Sequence, residues 1–209
     1  MPGLWRAQHP SPARAMPAFV ALLRGVNVGT ANRVPMARLR ALLEGLGYAR
    51  VATLLNSGNA VFIAERGTPT RMAEDIAAAL TKTLKLDVPV VVKSAEQWSD
   101  IVSGNRLAKS VTEPSRLLVA LAQDSRALNA LAALNPLATP PEQFALGKYA
   151  AYLHCPNGIL KSKAGQALLA GLDRIDGAAT TRNWATVLKL QALLGSLQNA
   201  PVQSRRTTR

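Results

Sequence analysis

The sequence predicts an α+β protein made of two consecutive β-and-helix units. Two observations carry this. Short runs rich in Val, Leu and Ala alternate with longer runs whose apolar residues recur at helical spacing. The order of those runs over 18–93 is then partly repeated over 116–194. Of the 209 residues, 48% are apolar, enough for a real core, but only 4% are aromatic, so that core must be mostly Ala, Leu and Val.

The elements follow in order. Residues 18–24, Ala-Phe-Val-Ala-Leu-Leu-Arg, read as a buried strand. Gly25-Val-Asn-Val-Gly-Thr-Ala-Asn-Arg33 is a loop, and Pro35 suits the first turn of a helix. Met36, Leu39, Leu42, Leu43 and Leu46 carry that helix and Gly47 closes it. Residues 50–55 make a second strand, Asn56-Ser-Gly-Asn59 a tight hairpin turn, and 60–64 the returning strand. A helix over about 69–85 rests on Met72, Ile76, Ala79, Leu80 and Leu84, and 88–93 form a fourth strand. This order, βαββαβ, is that of a ferredoxin-like split βαβ unit.

The second unit starts with a connecting helix over 94–103, capped by Ser94 with Glu96-Gln97 just inside. A strand over 116–122 and a helix from Ser125 to about Leu134 follow, the latter stopped by Asn135-Pro136. Residues 142–146 and 149–154 form a hairpin over Gly147-Lys148. Helices over about 163–172 and 183–194 complete the chain, so the second half reads βαββα plus a further helix. The expected division is a disordered N-terminal extension over 1–15, a ferredoxin-like subdomain over 16–94, a second α+β subdomain with C-terminal helices over 95–195, and a disordered basic tail over 196–209. Met16, just before the first strand, is a candidate functional start.

The net charge is +13, but Arg6, Arg14, Arg205, Arg206 and Arg209 lie in the flanks; without those five, 20 cationic residues face all 12 acids, a net +8. A basic chain attracts phosphates, nucleic acids and acidic membranes non-specifically; simple solubility is the plainer explanation. Apolar runs fall short of the roughly 20 residues that span a bilayer. A single cysteine, Cys155, excludes an intramolecular disulfide and a Cys-rich zinc site, and fits a reducing, cytoplasmic compartment. No metal, cofactor or membrane partner is implied.

Three polar segments are candidate site residues. Arg24-Gly-Val-Asn27-Val-Gly29 joins a strand to a helix, so its amides could line an anion site and Arg24 could donate bidentately. It lacks the spacing of a dinucleotide loop or P-loop, and the plainer reading is a Gly-Asn turn with Arg24 in a structural ion pair. Asn56-Ser57-Gly58-Asn59 is either a hairpin turn or a polar knuckle facing that loop. The third segment joins Lys161-Ser162-Lys163 to Thr180-Thr181-Arg182-Asn183. There Thr180 or Thr181 would cap the last helix, placing Arg182 in its first turn against the macrodipole. Arg182 would then want an acidic partner or an anion. His154 and Cys155 are adjacent on a strand and face opposite ways, while His9 lies in the N-terminal extension, so neither a catalytic dyad nor a histidine metal site is expected.

These segments also carry a family resemblance. Phe19-Val-Ala-Leu-Leu-Arg-Gly-Val-Asn-Val-Gly29 with Val34-Pro-Met-Ala-Arg-Leu-Arg-Ala-Leu-Leu43, then Asn56-Ser-Gly-Asn-Ala-Val-Phe62, then Thr180-Thr-Arg-Asn-Trp-Ala-Thr-Val187 with Ser162-Lys163 upstream, resemble the domain-of-unknown-function 1697 family. The resemblance spans about 17–194 and implies a two-part α+β arrangement with ferredoxin-like halves, found mainly in bacteria, with no established activity. One departure stands out: the family's Asn-Pro-Phe after the connecting helix is Asn105-Arg-Leu107 here.

The leading expectation is a protein that binds a small anionic ligand such as a phosphate ester or nucleotide, with catalysis on that ligand as an open option. Arg24 and Arg182 would hold the anion, Asn27, Asn59 and Asn183 would add neutral hydrogen bonds, Lys161 and Lys163 would steer, and Asn56, Ser57 and Thr181 complete the ligand-binding set. This requires the three segments to converge. The alternatives are a nucleic-acid module using an open sheet face and basic tails, and an interaction scaffold with an exposed apolar patch or dimer surface.

Overall fold

A computed structural model of the chain describes residues 16–29, 32–175 and 178–199. The extension expected over 1–15, and the expected tail from 200 onward, lie outside the described residues.

The first half runs β1 (Ala18–Leu23), α1 (Met36–Gly45), β2 (Ala49–Leu54), β3 (Asn59–Ile63), α2 (Pro69–Leu84) and β4 (Val90–Ser94). Its four strands form one antiparallel sheet in the order β2-β3-β1-β4. β1 is apolar throughout because both its sides are buried. Phe19, Ala21 and Leu23 pack with Leu39 of α1 and Ile76 of α2. Ala18, Val20 and Leu22 enter a second cluster on the opposite side.

The second half runs α3 (Ala95–Ser103), β5 (Leu117–Ala122), α4 (Ser125–Ala132), β6 (Gln143–Leu146), β7 (Ala150–His154), α5 (Lys163–Gly171), β8 (Ala179–Asn183) and α6 (Trp184–Asn199). Its sheet has the order β6-β7-β5-β8, again antiparallel. The capping box of α3 forms as expected: Ser94 Oγ accepts from the Gln97 amide at 3.2 Å, and Gln97 Oε1 accepts from the Ser94 amide at 3.1 Å.

Two expectations are corrected here. Residues 179–183 are a strand, not a helix start. Thr180 and Thr181 therefore cap nothing; Asn183 does, its Oδ1 accepting from the Thr186 amide at 2.9 Å. With β8 in place, the second half completes the same βαββαβ order as the first, over β5 to β8. The last helix also continues to Asn199, so 196–199 are helical rather than tail. Leu193 and Leu197 extend its apolar stripe onto the core, which outweighs the cost of Gly195 inside the helix, about 1 kcal/mol relative to Ala.

One apolar cluster joins the halves. Val20, Val61 and Val91 of the first sheet share it with Leu117, Val119 and Tyr152 of the second, with Trp98 of α3, and with Trp184, Val187 and Leu190 of α6. α1 and α2 cover the other side of the first sheet, and α4 and α5 the other side of the second. The open sheet face assumed by the nucleic-acid reading is therefore not there. The Ala/Leu-rich 127–134 segment likewise buries Ala127, Leu131 and Leu134 in its own core. The edge strands β4 and β8 lie side by side, and Gln123 bridges between the halves. Its Oε1 accepts from the Val92 amide at 2.8 Å, and its carbonyl accepts from Lys93 Nζ at 3.0 Å.

The β2–β3 hairpin packs tightly on the end of β1. The Leu23 amide donates to the Gly58 carbonyl at 2.8 Å. Gly58 has φ +72°, and a Cβ there would meet Val26 Cγ2 at 2.6 Å and Leu23 Cβ at 2.7 Å. Gly58→Ala is expected to cost about 2 kcal/mol by combining left-handed strain with overpacking. Urea unfolding checks this; a loss below about 0.5 kcal/mol would show that the hairpin can move away.

Candidate functional site

Arg182 projects from β8 across to the first half and is held there by five hydrogen bonds. Nε donates to Asn59 Oδ1 at 2.5 Å, Nη1 to Thr180 Oγ1 at 2.9 Å and to the Thr181 carbonyl at 2.6 Å. Nη2 donates to the carbonyls of Leu23 at 2.8 Å and Ser57 at 3.0 Å. A guanidinium has five N–H groups, so its donors are fully used. Every acceptor is neutral. Desolvation pushes the Arg182 pKa down to about 10, which still leaves it charged at neutral pH.

Asn59 is what positions this cation. It is fully buried at the start of β3, its Nδ2 donates to the Leu54 carbonyl at 3.0 Å, and its Oδ1 is thereby turned to Arg182. It is a buried amide behind the site rather than a turn residue at its surface.

Arg24, just past the end of β1, reaches the second half in the opposite sense. Its Nη1 donates to the carbonyls of Leu172 at 2.7 Å and Ala179 at 3.2 Å. Arg24 and Arg182 thus both line one cleft of about 840 Å³, together with Ser57, Thr180, Thr181 and Asn183. The convergence required of the loops is met for these residues. Asp87, Val88, Pro89, Leu169 and Leu172 also line it, and no sequence pattern pointed to them. They arrive from the turn before β4 and the end of α5, which only tertiary packing brings together.

The remaining candidates lie elsewhere. Asn27 is a staple: at φ +56° its Nδ2 donates to the carbonyls of Val34 at 2.9 Å and Asn56 at 2.6 Å, while its Oδ1 accepts from the Val34 amide at 2.8 Å. Asn27 and Asn56 line a separate hollow of about 480 Å³ beside Arg33 and Pro35. Lys161 lines another, of about 600 Å³, with Arg116, Glu142 and Asn157. Lys163 opens α5, whereas Leu169 and Leu172, at its far end, line the cleft. At 1.5 Å per residue that separation is on the order of 10 Å along the helix, so neither lysine belongs to the same site.

The expected conflict of Arg182 with a helix macrodipole does not arise, because Arg182 precedes α6 on a strand. The isolation of Arg182 from carboxylates comes from the fold: among the described residues no acid pairs with it. Outside the cleft, a second buried cation went unnoticed in the sequence. Lys93 is 1% exposed, sits 5.2 Å from the Tyr149 ring centroid, and has its pKa lowered to about 8 by burial, partly offset by Asp124.

Comparison with known proteins bears on family and fold. No curated protein matches the chain. A solved structure, that of the conserved bacterial protein SP0830 from Streptococcus pneumoniae, is similar with a TM-score of 0.72 over 86% of this chain and 99% of that one, at 24% identity. That likeness is one of fold. The model of a protein family of unknown function, DUF1697, matches residues 16–152, covering β1 through most of β7 and ending before the Lys161 and Arg182 segments. The chain belongs to the DUF1697 family.

Proposed function

We propose that the cleft between Arg24 and Arg182, formed where two units that we read as ferredoxin-like subdomains over 16–94 and 95–195 meet, binds a small anionic ligand of the phosphate-ester class. The observation that carries this reading is the charge state of Arg182. A desolvated cation whose hydrogen bonds all go to neutral acceptors puts a positive potential at the cleft, opposed there among the described residues by the exposed Asp87. Because its donors are already used, Arg182 contributes field rather than contact. Direct contact falls to the hydroxyls of Ser57 and Thr181, and Arg24, already bonded to the Leu172 and Ala179 carbonyls, adds its charge at the same cleft. No histidine or cysteine lines the cleft among the described residues, so any chemistry there would rest on positioning and electrostatic stabilisation.

The test is isothermal titration of inorganic pyrophosphate into the wild type and into Arg24→Gln, with folding of the variant checked by circular dichroism. Saturable binding weakened about tenfold or more in Arg24→Gln is expected, the scale of one charge-assisted hydrogen bond. No binding by the wild type, or binding indifferent to the substitution, would overturn the reading.

A further inference from the structure

We infer that the ligand of this cleft is an aliphatic anion, an alkyl or acyl chain carrying a single phosphate or carboxylate head. This rests on the anion reading above and narrows it. The cleft volume of about 840 Å³ far exceeds what a lone oxyanion fills and lies in the range of pockets for drug-sized ligands. Part of its lining is aliphatic: Val28 and Leu169 at the surface, over the buried Val26, Val88 and Leu172. Two of these stand in solvent, Val28 at 70% and Leu169 at 42% exposure, so their apolar surface is free for a ligand. No aromatic residue lines the cleft among the described residues. A nucleobase therefore finds no ring to stack on, the interaction that most often holds one without sequence-specific contacts. An alkyl chain needs only apolar surface, which is present. Asp87, the one carboxylate lining the cleft among the described residues, is exposed and screened by water, so it opposes an anionic head only weakly.

The experiment is a calorimetric series of methyl, butyl and hexyl phosphate, all in free solution, with inorganic pyrophosphate and ADP as comparators. Affinity is expected to rise along the series by up to about fourfold for each methylene that is buried. Leu169→Ser and Val28→Ser, both at exposed positions that do not threaten folding, are expected to reduce that slope. A flat series alongside pyrophosphate binding would overturn the aliphatic inference and leave the anion reading standing. Binding of ADP more tightly than hexyl phosphate would do the same in favour of a nucleotide. Hexanol binding as tightly as hexyl phosphate, or no binding by any anion, would overturn both. Co-flotation with phosphatidic-acid vesicles without response to free hexyl phosphate would mark a lipid surface instead, and would also overturn the inference.

Discussion

Arg182→Met is expected to lower stability by about 3–5 kcal/mol at pH 7, because several acceptors lose their donor at once. The Ser57 carbonyl lies on the exposed turn of the hairpin, where water replaces the guanidinium at little cost. The Leu23 carbonyl and Asn59 Oδ1 lie against buried residues and are harder to hydrate. Each unsatisfied buried acceptor costs about 1–3 kcal/mol, and removal of the desolvated charge offsets part of the sum. Arg182→Lys keeps the charge but not the planar fork, so it is expected to recover only part of the loss. Urea unfolding of both variants provides the check. A loss below about 1 kcal/mol for Arg182→Met would mean that water substitutes for the side chain, and that Arg182 does not hold the hairpin to β8.

Lys93 is expected to behave in the opposite way. Among the described residues its ammonium has one hydrogen-bond acceptor, the Gln123 carbonyl at 3.0 Å, against five acceptors for Arg182. Its pKa of about 8 lies below the ordinary 10.5. Below pH 8 the lysine is charged whether the chain is folded or unfolded, and the folded state carries the desolvation cost in full. Between about 8 and 10.5 the folded chain releases this proton while the unfolded chain keeps it, so stability climbs with pH. The rise from pH 7 to pH 10 is expected to be about 2–3 kcal/mol. The depressed pKa of Arg182 adds in the same direction above pH 10, whereas Tyr152, pushed up to about 12 by burial, acts against it there. Cys155, whose thiol is pushed by burial above the ordinary 9.0, also acts against the climb above pH 9, so the climb is cleanest between pH 7 and 9. Lys93→Met removes the desolvation cost and loses one hydrogen bond, so it is expected to stabilise by about 1–2 kcal/mol at pH 7 and to flatten the pH profile. Guanidinium unfolding midpoints across pH 7 to 10 measure both effects. A wild-type profile that is flat or falling would show that Lys93 is hydrated.

The contrast between these two cations marks what was legible in the sequence. Local patterns carried over well: the apolar run of β1, the Asn-Ser-Gly turn, and the Ser94 and Gln97 capping box each record a neighbour a few residues away. β8 was not legible, because Thr180-Thr181-Arg182-Asn183 runs directly into a strong helix and serves equally as a helix start. Its strand character comes from pairing with β5, Thr181 opposite Ala120 and Arg182 opposite Val119. The candidate site divided along the same line. Arg24, Ser57, Thr181, Arg182 and Asn183 meet at one cleft. Asn27 and Asn59 hold backbone and Arg182 in place. Lys161 and Lys163 share a basic, polar character with the Arg182 segment, and Lys163 shares its family motif, but α5 carries them away from the cleft. Asp87, Leu169 and Leu172 bear no sequence signal, since their place at the cleft exists only once the two halves have packed. Lys93 follows three valines in β4, and its burial against Gln123 and Tyr149 of the second half exists only once the halves have packed.

The most direct test is a two-dimensional NMR titration of the wild-type protein with inorganic pyrophosphate, which needs no variant. Saturable shifts of the Gly25, Ser57 and Thr181 amides, with those of Lys161 and Lys163 unmoved, are the expected result and would place the anion at the cleft that Arg24 and Arg182 share. Shifts centred on Arg116 and Lys161, or no saturable shift at all, would contradict it.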